Sequence, residues 1–287
     1  MNVYIQSILL GIVEGLTEFL PVSSTAHLRI TEALMKIPLD DAYWKMYTIV
    51  IQLGAILALL LLFLSRIVDF IRTFPRGENG DRTWLNHPIS LTFIAFACTS
   101  APALLLHKWS EKNLGSLKAM ALALLIGGIV MWIIDAWSDR SVAGTTHVEE
   151  MSLPQAIWIG LCQTLSAIFP GTSRSMSTIA AGQVAGMDRP SALEFSFLLS
   201  IPTMIAATIW DLKKEVFPSG GGAAHVVMTT DNWIVLAIGF VVSFIVALGV
   251  VEWFLFWVRK HGFTIFAIYR ILLGSALLLW GAKYIGG

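Results

Sequence analysis

Charge is scarce in this chain: only 13% of its 287 residues are charged and 56% are hydrophobic, against about 25% charged in soluble domains. That deficit excludes a water-soluble globular fold and points to an all-α polytopic membrane protein. Net charge is missing as well, because 19 basic residues balance 19 acidic ones. With no global field to draw it in, nucleic acid is excluded as a partner. Cysteine is nearly absent. Cys98 and Cys162 both fall in apolar segments, where a thiol behaves as a small hydrophobe, so neither a disulfide framework nor a thiolate metal centre is expected. The first twenty residues carry Glu14 and Glu18 and lack both a basic start and a small-residue cleavage site, so no signal peptide is expected to be removed.

What the chain does have is apolar length. Six segments, near 44 to 64, 88 to 107, 117 to 137, 191 to 211, 232 to 257 and 264 to 284, reach the roughly 20 residues needed to cross a bilayer core. Four others, about 3 to 20, 24 to 36, 154 to 169 and 173 to 186, are shorter and are broken from each other by Pro21 and Pro170. They read as two re-entrant helical hairpins, 3–36 and 154–187. Non-helical backbone at such a break is tolerated in a bilayer only where protein or a water-filled cavity surrounds it.

The order of segments repeats. A first unit, 1–138, holds a broken pair and three spans; a polar linker, 139–153, follows; a second unit, 154–287, holds a broken pair and three spans again. Gly11, Glu14, Pro21 and Ser24 recur 149 positions on as Gly160, Gln163, Pro170 and Ser173, and on that register Ala167 replaces Glu18 and Arg174 replaces Thr25. Three spans per unit is odd, so the second unit must be inserted upside down. Inverted repeats with discontinuous helices place a binding site at the repeat interface. The stretch holding Arg66, Arg72, Arg76 and Arg82 is the heaviest vote for a cytoplasmic loop. Gly220, Gly221 and Gly222 read as a loop tip.

Chemistry gathers at the two breaks. Glu14 and Glu18 are four apart on one helical face. In apolar surroundings two such carboxylates need either a proton or a cation, and oxygen-only ligation favours Mg2+ or Ca2+. Ser23, Ser24 and Thr25 stand at the start of the next helix, where hydroxyls cap free N–H groups. His27, three residues past Ser24, is close enough to share a hydrogen bond with it as base and nucleophile do. The second break, Pro170-Gly171-Thr172-Ser173-Arg174-Ser175, is a tight turn opening a helix, whose N–H groups attract an anion, and Arg174 adds a planar fork of donors suited to phosphate. A bridge from Arg174 to Glu14 or Glu18 is the structural alternative. Together these groups suit attack on a phosphoryl group of a lipid phosphate or diphosphate. Gln52, Glu194 and Arg270 are explained as well by helix-to-helix hydrogen bonding as by a site role.

The runs Glu14 to His27 and Pro170 to Ser175 resemble the two signature motifs of the bacterial undecaprenyl-diphosphatase family, also called the bacitracin-resistance family. Glu194-Phe-Ser-Phe-Leu-Leu before Pro202, Val50-Ile-Gln52-Leu-Gly54 and Phe266-Ala-Ile-Tyr-Arg270 extend the resemblance over nearly the whole chain. It implies hydrolysis of undecaprenyl diphosphate to undecaprenyl phosphate and inorganic phosphate, which recycles the carrier lipid of peptidoglycan synthesis. It also implies a divalent cation and a site reached from the periplasmic face of the inner membrane. By the same resemblance Glu14 and Glu18 would hold the cation, and Glu18, Ser24, His27 and Arg174 would be catalytic. Arg174, Ser173, Thr172, Ser23 and Thr25 would bind phosphate, and a homodimer is among the allowed assemblies. Ser24, His27 and water stay open as nucleophiles. A flippase using the same site is the alternative function. A lipid phosphatase with Pro-Ser-Gly-His and Ser-Arg-x5-His motifs is excluded, because the chain has no Pro-Ser-Gly-His and Ala180 stands six past Arg174.

Overall fold

The computed structural model describes residues 1–77, 80, 82–113, 116–140, 142–216 and 228–281, and the Gly220 to Gly222 stretch lies outside them. The described residues form eleven α-helices: α1 (Val3–Thr17), α2 (Ser24–Leu34), α3 (Ala42–Leu62), α4 (Leu64–Thr73), α5 (Pro88–Asn113), α6 (Leu117–Ser138), α7 (Leu153–Ile168), α8 (Arg174–Val184), α9 (Arg189–Val216), α10 (Thr230–His261) and α11 (Thr264–Ala276). Their starts follow capping chemistry. The side chains of Asn2, Asp41, Ser116 and Thr229 each accept a hydrogen bond from the first turn of α1, α3, α6 and α10, supplying acceptors for N–H groups that have no partner inside the helix. Helix α10 ends where Arg259, Lys260 and His261 meet the dipole and Gly262 takes φ 64°, a left-handed conformation that glycine adopts without cost.

Among the described residues five helices are long and apolar enough to cross a membrane: Ala42–Leu62, Pro88–Leu106, Leu117–Ser138, Arg189–Lys213 and Thr230–His261. They match five of the six expected spans. The sixth, expected at 264 to 284, is the 13-residue α11 running into a π-helical turn over Leu277–Gly281, and residues 282 to 284 lie outside the described part. Helix α4 was not expected: three charged residues, Arg66, Asp69 and Arg72, hide its apolar stripe, of which Phe70 is buried. Nor is the 139–153 linker a loose connection. Val148 and Met151 are buried in the core, and Arg66 reaches from α4 to Glu149 at 2.6 Å and to Glu194 of α9 at 2.7 Å.

Helices of the two halves pack across the chain's midpoint. Helix α1 lies against α10 and α7 against α5, while α6 pairs with α11 and α3 with α9. Glycine makes the first two approaches possible. A Cβ on Gly15 would stand 2.7 Å from the Ser243 carbonyl oxygen, and one on Gly160 would stand 2.3 Å from that of Ala95. Because the obstacle is backbone, Gly160→Ala must push α5 and α7 apart; thermal unfolding in detergent is expected to show a loss of about 1–3 kcal/mol. Gly249, with nothing within 4 Å of its Cβ position, is the control, and Gly249→Ala should leave the transition in place or raise it slightly.

Candidate active site

Two helix starts define the site. Ser23 and Ser173 are the N-caps of α2 and α8, with φ 74° and 72°, and each side chain accepts from the backbone N–H three residues on, Ala26 or Met176. These matching caps are 150 positions apart, not 149. The register that aligns Glu14 with Gln163 therefore slips by one residue across the second turn, where Gly171 takes φ 92°. The counterpart of Arg174 is accordingly Ser24, not Thr25: both are the first residue of their helix.

Both residues meet one carboxylate. Ser24 Oγ donates to Glu18 Oε2 at 2.5 Å, and Arg174 Nη2 donates to Glu18 Oε1 at 3.2 Å. The Glu18 and Arg174 side chains are 5% and 11% exposed, so the pair is shielded from bulk water and its attraction is little screened. The bridge weighed as a structural alternative is thus present. It leaves much unsatisfied, however: Arg174 Nε and Nη1 and both oxygens of Glu14 are buried without hydrogen-bond partners. Two carboxylates against one guanidinium leave an acidic excess, and unpaired buried polar atoms cost of the order of 1–3 kcal/mol each. Such an arrangement is built to receive something.

A fully buried arginine that sequence patterning could not separate from ordinary helix contacts holds the two turns together. Arg270 of α11 donates to the carbonyl oxygens of Pro21 at 3.1 Å, Gly171 at 3.2 Å, Thr172 at 2.9 Å and Ala123 at 3.2 Å. Ser175 Oγ adds a bond to the Leu20 carbonyl at 2.9 Å. These ties fix both helix N-termini toward one cavity.

That cavity has a volume of about 420 Å3, and Glu14, Glu18, Ser24, Thr25, Gln52 and Arg174 are among its lining residues. A smaller recess of about 130 Å3 takes in Ser23, Ser24, Thr25, Ser173 and Arg174. Thr172 lines neither; its carbonyl is held by Arg270. His27 lines neither as well. The expected bond between Ser24 and His27 is absent, because each side chain has another partner. His27 Nδ1 lies 2.7 Å from the Ser23 carbonyl oxygen and Nε2 lies 2.6 Å from Tyr269 Oη. A carbonyl can only accept, so Nδ1 carries the hydrogen and Nε2 of the neutral ring accepts from the tyrosine.

Among the described residues no three His, Cys, Asp or Glu side chains cluster as a metal site. The donor set is two carboxylates, Glu14 and Glu18, with hydroxyls beside them. It fits a hard cation of the magnesium kind, which keeps waters and takes phosphate oxygens instead of a complete protein cage. Thr99, Gln163 and Thr203 also line the cavity. No spacing signal marks the two threonines within their apolar spans, while Gln163 is visible only as the uncharged counterpart of Glu14.

Comparison with known proteins places the chain among relatives of one family. The family described as Bacitracin resistance protein BacA matches residues 7–276. The chain is 60% identical over 287 residues to the undecaprenyl-diphosphatase of Koribacter versatilis, covering 99% of this chain and 100% of that protein. It is 39% identical over 285 residues to the undecaprenyl-diphosphatase of Caldanaerobacter subterraneus, covering 99% and 98%. With the Rhizobium etli undecaprenyl-diphosphatase it shares 40% identity over 276 residues, covering 96% of each.

Proposed function

The chain belongs to the bacitracin resistance protein BacA family, and on that premise we propose that it hydrolyses undecaprenyl diphosphate to undecaprenyl phosphate and inorganic phosphate. The observation that carries the reading is the shared carboxylate: Glu18 accepts from the Ser24 hydroxyl at 2.5 Å and from Arg174 at 3.2 Å, and all three residues line one cavity. Nucleophile, base and anion-binding group are already in register.

In this mechanism the terminal phosphoryl group of the lipid diphosphate lies against the free Nε and Nη1 edge of Arg174. Ser24 Oγ attacks phosphorus, its proton passes to Glu18 Oε2, and the bond to the bridging oxygen breaks to release undecaprenyl phosphate. Glu18 gives that proton to the departing undecaprenyl phosphate; water then attacks the phosphoserine, losing a proton to Glu18, which returns it to Ser24 Oγ as inorganic phosphate leaves. A divalent cation held by Glu14 and Glu18 would neutralise the diphosphate charge. His27, turned toward Tyr269, acts by bonding to the carbonyl of the strained Ser23 and so aiming Ser24. Rapid quench with a terminally labelled substrate is expected to place the label on Ser24. Phosphohistidine at His27, or no covalent species at all, contradicts this version, and Ser24→Ala should lower turnover by about 10^3-fold or more.

The exchange of packing partners between the two halves, α1 on α10 and α7 on α5, supports an inverted repeat with six crossings and two re-entrant hairpins. The family, and not the packing, is what supports reading the cavity as reached from the periplasmic side of a bacterial inner membrane. Because that architecture is shared with transporters, lipid movement is the second reading. Hydrolysis predicts phosphate release from detergent-solubilised protein; transport alone predicts none, and predicts transfer of lipid between leaflets of sealed vesicles.

A further inference from the structure

The wall of the cavity contributed by the second half holds a group the mechanism above does not use. Gln163, on α7, is 1% exposed, lines the cavity and is the counterpart of Glu14. Its amide nitrogen donates to Thr99 Oγ1 at 3.2 Å and to Thr203 Oγ1 at 3.1 Å. Each threonine hydroxyl has a single hydrogen. Thr99 commits its hydrogen to the carbonyl oxygens of Gly160 at 2.7 Å and Ala95 at 3.0 Å, and Thr203 commits its own to Leu199 at 2.8 Å. Both hydroxyls can therefore only accept from Gln163, which fixes which end of the amide is nitrogen. The other end, Oε1, is left buried with no partner.

Three orphaned acceptors thus belong to this one cavity: Oε1 and Oε2 of Glu14 and Oε1 of Gln163. Buried acceptors without donors are what a cation satisfies, and amide carbonyls rank with carboxylates among the oxygen ligands of hard divalent ions. We propose that Gln163 Oε1 is an oxygen ligand of the divalent cation, facing Glu14 across the cavity, with Thr99 and Thr203 as positioning residues that turn the amide. The second copy of the repeat then contributes to the cation site as well as supplying Arg174, and the loss of charge from Glu to Gln limits the site's negative excess beside a diphosphate. This inference rests on the reading of Glu14 and Glu18 as cation ligands.

The test is Mn2+ binding to the full chain in detergent, followed by electron paramagnetic resonance titration, with thermal unfolding in EDTA as a check that each variant folds. Gln163→Met, which keeps the length and removes the oxygen, should weaken Mn2+ binding by about tenfold. Gln163→Glu, which restores an oxygen, should bind Mn2+ at least as tightly as the unaltered protein. Unchanged affinity in Gln163→Met, or weakened binding in both variants alike, overturns the proposal. Glu14→Gln separates the two layers of the argument: if it abolishes Mn2+ binding while Gln163→Met does not alter it, the cation reading stands and the role of Gln163 falls. If the unaltered protein binds no Mn2+, both fall, and phosphate release alone then decides the hydrolytic reading.

Discussion

Arg174→Ala is expected to lower phosphate release by about 10^3-fold or more, the range in which a charge-stabilising arginine contributes to phosphoryl transfer. Among the described residues the guanidinium is the one cation paired with Glu18, and its unpaired Nε and Nη1 are the donors best placed for oxygens of a transferring phosphoryl group. Arg174→Lys should recover little of the rate, since an ammonium offers a point charge where a planar fork is needed. Loss of folding is separable from loss of chemistry. Removing Arg174 strands the buried Glu18 carboxylate, a penalty of about 3–5 kcal/mol. The double variant Glu18→Gln with Arg174→Ala should regain much of that stability in thermal unfolding and none of the activity. Equal activity in Arg174→Lys and the unaltered protein would remove the argument for bidentate recognition.

The largest effect on stability is expected at Arg270. Its side chain is fully buried and satisfies carbonyl oxygens from both turns and from α6. Arg270→Leu leaves these oxygens of Pro21, Gly171, Thr172 and Ala123 short of donors. With hydrogen bonds to charged groups each contributing about 1.5–3 kcal/mol, a loss above roughly 4 kcal/mol is expected, enough to remove most folded protein from a membrane preparation. Arg270→Lys keeps the charge but cannot span four acceptors, so it should fall between. Gly127 supports the same feature, since a Cβ there would lie 2.5 Å from Arg270 Nη2. Gly127→Ala should lower the unfolding temperature in the same sense, and turnover should fall with it because the two turns lose their common tie.

How far this site was legible in the sequence depends on the kind of signal. Apolar length alone led to six expected spans, of which five are matched by helices long and apolar enough to cross a membrane, and proline with polar residues gave both breaks, because lipid tolerates charge and irregular backbone so poorly that each instance stands out. Glu14, Glu18, Ser24 and Arg174 were legible for that reason, and they do line one cavity. Helix α4 was not, since three charges in ten residues mask its buried face. The register of 149 residues differs by one from the spacing of the two matching helix caps. The alignment of Gly11, Glu14 and Pro21 with Gly160, Gln163 and Pro170 could not reveal that the caps, Ser23 and Ser173, are set by backbone conformation. His27 was placed beside Ser24 by spacing alone; the side chain instead turned to the Ser23 carbonyl, four residues back, and to Tyr269, a partner 242 residues away that no local pattern encodes. Arg270 was visible as a charge in an apolar segment, but its role lies in reaching four backbone acceptors that only the folded chain assembles.

The most direct measurement is inorganic phosphate released from undecaprenyl diphosphate by purified protein in detergent, with and without EDTA, beside Glu18→Gln and Arg174→Ala. The account predicts release that chelation abolishes, that added Mg2+ or Ca2+ restores, and that both variants lose although they remain folded. Release that persists undiminished in EDTA, or in folded Glu18→Gln, would contradict it.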